Sequence, residues 1–177
     1  ALPVDHALPV DYALSVDYAL PVDHALSDDS SNAVLFYDGF EDLSLSPWVV
    51  SGPGKPWVIT SDASASGSQA AQAQATGSSK ESLMTATFSS PGSGTLTLEY
   101  QRRLVGLDGV DDFAAEIRFG AIWIALEQLA SSTANDPAFV AKSFVIPNTA
   151  DAIRFMCECG AVSERCLVDD VKVIHTP

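Results

Sequence analysis

The chain has 177 residues, enough for one domain with a real core and an appendage. Hydrophobic residues make up 47%, so most of it is globular, and no uncharged apolar run is long enough to span a membrane. A net charge of −14, from 23 acidic and 9 basic residues, repels phosphate backbones and argues against nucleic-acid or anionic-membrane partners, while it favours solubility and the recruitment of divalent cations.

The N-terminus is an internal repeat: ALPVDH, ALPVDY, ALSVDY, ALPVDH, then a decayed ALSDDS. Apolar positions repeating every six residues smear around a 3.6-residue period, and Pro3, Pro9 and Pro21 would break a helix. Extended backbone is therefore expected, either β or polyproline II. In a β conformation one face carries Leu2, Val4, His6, Leu8, Val10, Tyr12, Leu14, Val16, Tyr18, Leu20, Val22 and His24, and the other carries small and acidic residues. The chain starts at Ala1 without an initiator Met, which we read as a removed signal peptide or a trimmed start. Residues 1–32 are taken as arm and hinge, with Ser27 to Asn32 the polar hinge, and 33–177 as the globular domain.

Ala33 to Tyr37 opens the globular part as a strand. Trp57 to Thr60 follows the turn Ser51-Gly-Pro-Gly54, and Ser61 to Ser79 is small and polar. Leu83 to Phe88 reads as a strand, Pro91 to Gly94 as a turn, and Thr95 to Leu104 alternates as the clearest strand. Phe113 to Phe119 and Ala121 to Leu126 pair around Gly120, and a single helical turn is expected around Gln128 to Thr133. Phe139 to Ile146, Ala152 to Cys157 and Cys166 to Ile174 complete a set of short strands spaced by Gly, Pro and Ser, the pattern of an all-β sandwich. Three cysteines, Cys157, Cys159 and Cys166, lie close together. Their spacing suits zinc poorly, with His175 the only candidate fourth ligand. One disulfide across a turn is expected instead, from Cys157 or Cys159 to Cys166, with Cys157 favoured and one thiol left over. That points to an oxidising compartment. There is no Asn-x-Ser/Thr sequon, and the Ser-rich stretches are expected to carry O-linked sugar.

Phe36-Tyr-Asp-Gly-Phe-Glu-Asp42, Ser46-Pro-Trp48, Trp57, Ser66 to Ala71, Leu96 to Tyr100, Asp112-Phe113, Trp123, Ile153 to Phe155 and Val168-Asp-Asp-Val171 occur in that order. This order resembles concanavalin-like jelly rolls: MAM-type extracellular domains and jelly-roll carbohydrate-binding modules. The resemblance covers residues 34–177 and implies a jelly-roll β-sandwich. It also implies a structural calcium ion where the first and last strands meet, held by Glu41 and Asp170, with Asp38 or Asp169 as further ligands. The arm is unlike the family.

No nucleophile elbow, zinc-protease motif or phosphate loop is present. Asp111, Asp112 and Glu116 could form a glycosidase pair, but Asp111-Asp112 falls in a turn where acids usually solvate a hairpin, so no enzyme is expected. Trp48, Trp57, Trp123, Tyr37 and Tyr100 could stack on sugars; core positions are the expectation for all of them. The main functional expectation is a structural subunit of an extracellular fibre or surface assembly, a homo-polymer linked head-to-tail by arms engaging neighbours, by a logic similar to donor-strand filaments. The alternative is a secreted module binding glycans, with the arm as linker. If the arm instead completes a sandwich edge, in cis or trans, its removal should destabilise the domain.

Overall fold

A computed structural model describes residues 32–75, 81–131 and 133–177. The repeat arm, including every residue of its expected assembly face from Leu2 to His24, lies outside the described residues. The described chain forms eleven strands: β1 (Ala33–Asp38), β2 (Val49–Ser51), β3 (Val58–Thr60), β4 (Ala70–Gln74), β5 (Glu81–Thr87), β6 (Thr95–Val105), β7 (Asp112–Phe119), β8 (Ile122–Ala130), β9 (Val140–Ile146), β10 (Ala150–Glu158) and β11 (Arg165–Thr176). They build two antiparallel sheets of a jelly-roll sandwich. One runs β3-β4-β11-β6-β9, with β1 on the free part of β11; the other runs β2-β5-β10-β7-β8.

Alternation decides which residues meet between the sheets. In β6, Leu96, Leu98, Tyr100, Arg102 and Leu104 are buried, while the intervening residues face outward. Phe113, Ile117, Ile153, Phe155, Val171 and Val173 join them in one continuous core that also takes in Trp48 and Trp57. Phe155 is its aromatic hub, with Trp48 at 5.8 Å, Tyr100 at 5.0 Å and Phe113 at 6.4 Å between ring centroids.

Three elements differ from the sequence reading. The helical turn expected at Gln128 to Thr133 is absent as far as Ala130, because β8 continues there, pairing Gln128 with Ala114 and Ala130 with Asp112. The polar segment 61–79 contains a strand, β4, in which Ala70, Ala71, Gln72 and Ala73 are all buried. Small side chains suit a strand flanked by β3 and β11 and covered on both faces, and polarity alone concealed it. The short β2 was also not anticipated; it forms by pairing with β5.

The cysteine bridge joins Cys157 to Cys166, with Cα atoms 6.1 Å apart, and leaves Cys159 free and buried. It ties the end of β10 to the start of β11.

Candidate functional site

The outer face of the six-stranded sheet carries rows of cross-strand neighbours. One row is Tyr37, Lys172, Glu99 and Ser143, which are successive register partners on β1, β11, β6 and β9. Beside it lie Gln101 and Ala141, also paired. On the other side runs an apolar row of Val34, Ile174, Thr97 and Val145. An open groove of about 570 Å³ is lined by Tyr37, Glu99, Gln101, Ser143, Asp170 and Lys172, among others.

Tyr37 is 59% exposed, against the expectation that it fills the core. Adjacent strand residues point to opposite faces, so Phe36 takes the core position and Tyr37 must face water. Its phenol donates to Asp170 Oδ1 at 3.4 Å. Asp170 also accepts from Ser66 Oγ at 2.8 Å and from Gln101 Nε2 at 3.1 Å. A bulge between Asp169 and Lys172, with Asp170 at φ 48°, turns that carboxylate into the groove. Asp is among the few residues that adopt this left-handed conformation readily. Partial burial, and then the negative charge of Asp170, raise the Tyr37 pKa, so the ring keeps its proton. Lys172 Nζ and Glu99 Oε2 pair at 3.2 Å across the groove floor. The groove thus presents one flat aromatic ring among donors and acceptors of both kinds, with no concentrated charge.

Asp169, directly before the bulge, is fully buried. Its Oδ2 accepts backbone N–H bonds from Ala65 at 2.7 Å and Ser66 at 3.2 Å. Glu41 clamps the same loop from the other side, accepting from Ser68 N at 2.9 Å and Gln69 N at 2.8 Å. Those backbone donors pull the Glu41 pKa down. The clamp requires Gly67, since a Cβ there would collide with the Glu41 carboxylate and the backbone is left-handed, at φ 56°. Asp38 accepts from Phe40 N and Trp48 Nε1, both at 2.7 Å. The residues expected to hold calcium, Glu41 and Asp170 with Asp38 and Asp169, are therefore engaged by N–H and O–H donors. Among the described residues, the metal-capable groups whose ligand atoms converge are Cys157, Cys159 and Cys166, and Asp108, Asp111 and Glu164. As arranged, Glu41 and Asp170 fit a hydrogen-bonded loop clamp better than the first shell of a cation.

The other candidates fall elsewhere. Trp48, Trp57 and Tyr100 are buried as expected. Trp123 is not: it pairs opposite Arg118 on the outer face of the second sheet, with the Arg154 guanidinium 4.3 Å from its ring centroid. Asp111 is fully buried rather than solvating a turn, because its oxygens accept from Asp108 N at 2.8 Å and Gly160 N at 2.7 Å. Asp112 accepts from Ser131 N, and Glu116 pairs with Arg154 at 2.5 Å. Those bonds give these acids structural roles. His175 contacts Ser93 O at 3.1 Å and stands apart from the cysteine group.

The sequence matches no family model and no curated protein. Solved structures do match. A carbohydrate-binding module, TmCBM61 in complex with beta-1,4-galactotriose, aligns with a TM-score of 0.61 at 17% identity, covering 77% of this chain and 94% of that one. The fold is that of jelly-roll carbohydrate-binding modules. The C-terminal family 22 module of Clostridium thermocellum Xyn10B aligns with a TM-score of 0.59 at 13% identity, over 81% of this chain and 94% of its own. The K3 cleaved adhesin domain of Lys-gingipain from Porphyromonas gingivalis gives 0.58 at 15% identity, over 81% and 99%. These neighbours support the carbohydrate-binding-module half of the sequence resemblance; the MAM-type half draws nothing from them. They supply the architecture, while the groove residues are this chain's own.

Proposed function

We propose that residues 33–177 are a non-catalytic, extracellular carbohydrate-binding module whose glycan site is the groove around Tyr37. The observation that carries this reading is an exposed tyrosine on a sheet face, Tyr37, ringed by Asp170, Gln101, Glu99, Lys172 and Ser143. A sugar ring offers an apolar C–H face for an aromatic ring and equatorial hydroxyls for paired donors and acceptors. The apolar row of Val34, Ile174 and Val145 extends the same face beside the polar one. Neighbours of the same architecture include a module in complex with beta-1,4-galactotriose and a xylan-binding domain, which supports the glycan class without fixing the sugar. Assembly into a fibre through the arm, the main expectation from the sequence, draws no support from these neighbours. A calcium ion at Glu41 and Asp170 also stays a proposal; if it binds there, it would brace the loop that Glu41 and Asp170 already hold through Ser66 and Ser68.

Affinity electrophoresis and calorimetry against soluble galactans, xylans, glucans and mannans test the reading. At least one polysaccharide should bind, and Tyr37→Ala should weaken that binding by about tenfold or more, the equivalent of about 1.4 kcal/mol of lost stacking. Tyr37→Phe should retain most of it. Binding that survives Tyr37→Ala unchanged removes the groove as the site, and no binding to any polysaccharide removes the function.

A further inference from the structure

Among the described residues, five strands keep one edge unpaired: β1, β2, β3, β8 and β9. β2 and β3 are three residues each, β1 is six with a bulge between Val34 and Phe36, and β9 is seven. β8 is the longest of them, nine residues, reads IWIALEQLA and contains no Lys, Arg or Pro. Its one charge, Glu127, is held by Arg102 at 2.9 Å and Lys142 at 2.7 Å, so it does not guard the edge. A bulge at Leu126 interrupts the strand, but Ile122 to Ala125 stays regular beside Phe119, Arg118, Ile117 and Glu116. Apolar side chains crowd this stretch: Ile122 is 65% exposed, Phe119 45% and Ile124 39%. An edge of this length and composition invites another strand.

The sequence contains a strand suited to it. Residues of one parity point their N–H and C=O to one edge of a β-strand. Pro3, Pro9 and Pro21 are all odd-numbered, so the odd edge of the repeat lacks donors while the even edge keeps every one from Leu2 to His24. The even residues also form the apolar face. The repeat can therefore add to one sheet edge and then stop the pairing there.

Chain geometry brings the two together. The described chain begins at Asn32, whose side chain accepts from Thr176 Oγ1 at 2.9 Å. Across the sheet, Ala33 lies opposite His175, His175 opposite Leu96, and Leu96 opposite Ile146. The short link after Ile146 leads to Ala150, which pairs with Phe119, and Phe119 pairs with Ile122. The start of the described chain and the exposed end of β8 therefore share one end of the sandwich. Three strand spacings and one sheet gap separate them, about 20 Å, and the residues between His24 and Asn32 can bridge about that distance in extended form. Leaving from that end, the arm would run antiparallel to β8.

We propose that the repeat arm of the same chain docks along the free edge of β8 through its even-numbered residues, with the last repeats, Tyr18 to His24, lying over Ile122 to Ala125. The arm thereby covers Phe119, Ile122 and Ile124 and pairs with the longest free edge among the described strands. This inference is independent of the glycan site, which lies on the outer face of the other sheet.

Hydrogen-exchange mass spectrometry on the full-length protein tests it. Amides of residues 122–130 should exchange slowly in the unmodified chain and at least about tenfold faster in Val16→Pro and Val22→Pro, which remove donors from the even edge. Ser15→Pro places a proline where the other repeats carry one, on the odd edge, and should leave the protection intact. Sedimentation should show a monomer from micromolar to millimolar concentration. Fast exchange at 122–130 in the unmodified chain overturns the proposal, as does equal exchange in all four proteins. Concentration-dependent dimers or polymers that disappear in Val22→Pro also overturn it, and they assign the arm to a neighbouring copy.

Discussion

Cys159 sits with its Sγ 3.1 Å from that of Cys157 and 3.9 Å from that of Cys166, so a free thiol lies against an intact disulfide. Proximity alone would favour exchange. Burial, and then the charges of Asp111, Glu164 and Glu158, push the Cys159 thiol up to about 12. The thiolate is the reactive species, so at neutral pH almost none forms. Iodoacetamide at pH 8 should therefore leave the folded protein unlabelled and add one adduct after unfolding without reductant, counted by intact mass. Labelling of the native protein at a rate like that of free cysteine would show that the site opens. The sequence leaves the partner of Cys166 open in part, because Cys157 and Cys159 are two residues apart and share a parity. Position along the turn decided between them.

Between elements, the clearest device is the polar bridge from one sheet to the other. Arg102 of β6 reaches both Glu127 of β8 and Asp136, while Tyr100 donates to Glu127 at 2.7 Å and Lys142 of β9 pairs with it at 2.7 Å. Burial by itself would raise the pKa of Glu127, but the hydrogen bonds from Arg102, Lys142 and Tyr100 prevail and hold it below 4.5, its ordinary value. A carboxylate depressed in the folded state stabilises the fold fully above its unfolded pKa. That contribution is lost as pH falls through the lower, folded value. Glu127→Gln should therefore cost about 3 kcal/mol at pH 7, since Arg102 keeps only Asp136. For a chain of this size that corresponds to a fall in Tm of roughly 6–12 °C. The gap between wild type and variant should narrow as pH drops below about 4.5. A gap that stays constant from pH 7 to pH 3 would mean that Glu127 acts by packing and not by charge.

At the scale of the molecule, the last strand organises the site. β11 pairs with β1, β4 and β6, its Asp169 anchors the 65–66 loop from the interior, and its Asp170 faces the groove. The two neighbouring acids hold Ser66 together, Asp169 through its backbone N–H and Asp170 through its hydroxyl, and Asp170 in addition faces the groove. Calcium at Glu41 and Asp170 is tested at this scale. If the ion braces the loop, excess EDTA should lower Tm by several degrees, and added calcium should restore it by mass action. An identical Tm with EDTA and with millimolar calcium leaves the clamp to hydrogen bonds alone, the arrangement that the Ser68 and Gln69 donors already provide.

The sequence by itself determined the class of fold and most of its strands, because alternation over 95–104, 139–146 and 166–174 and the Gly, Pro and Ser turns between them are local signals. It also determined the parity of the prolines in the arm. It could show that Phe36 and Tyr37 face opposite ways, yet reading Tyr37 as core missed the one exposed ring in the groove. Glu99, Gln101, Ser143 and Lys172 lie far apart along the chain and became one surface only through the register of β1, β11, β6 and β9. Tertiary structure likewise decided that Ala70 to Ala73 is a covered strand, that β8 takes Gln128 to Ala130 from the helical turn expected there, and that the free edge of β8 begins at the end of the sandwich where the described chain starts. Strand pairing is a non-local choice, settled by which faces can be buried together, and residues that are neighbours only across a sheet leave no mark on the sequence between them.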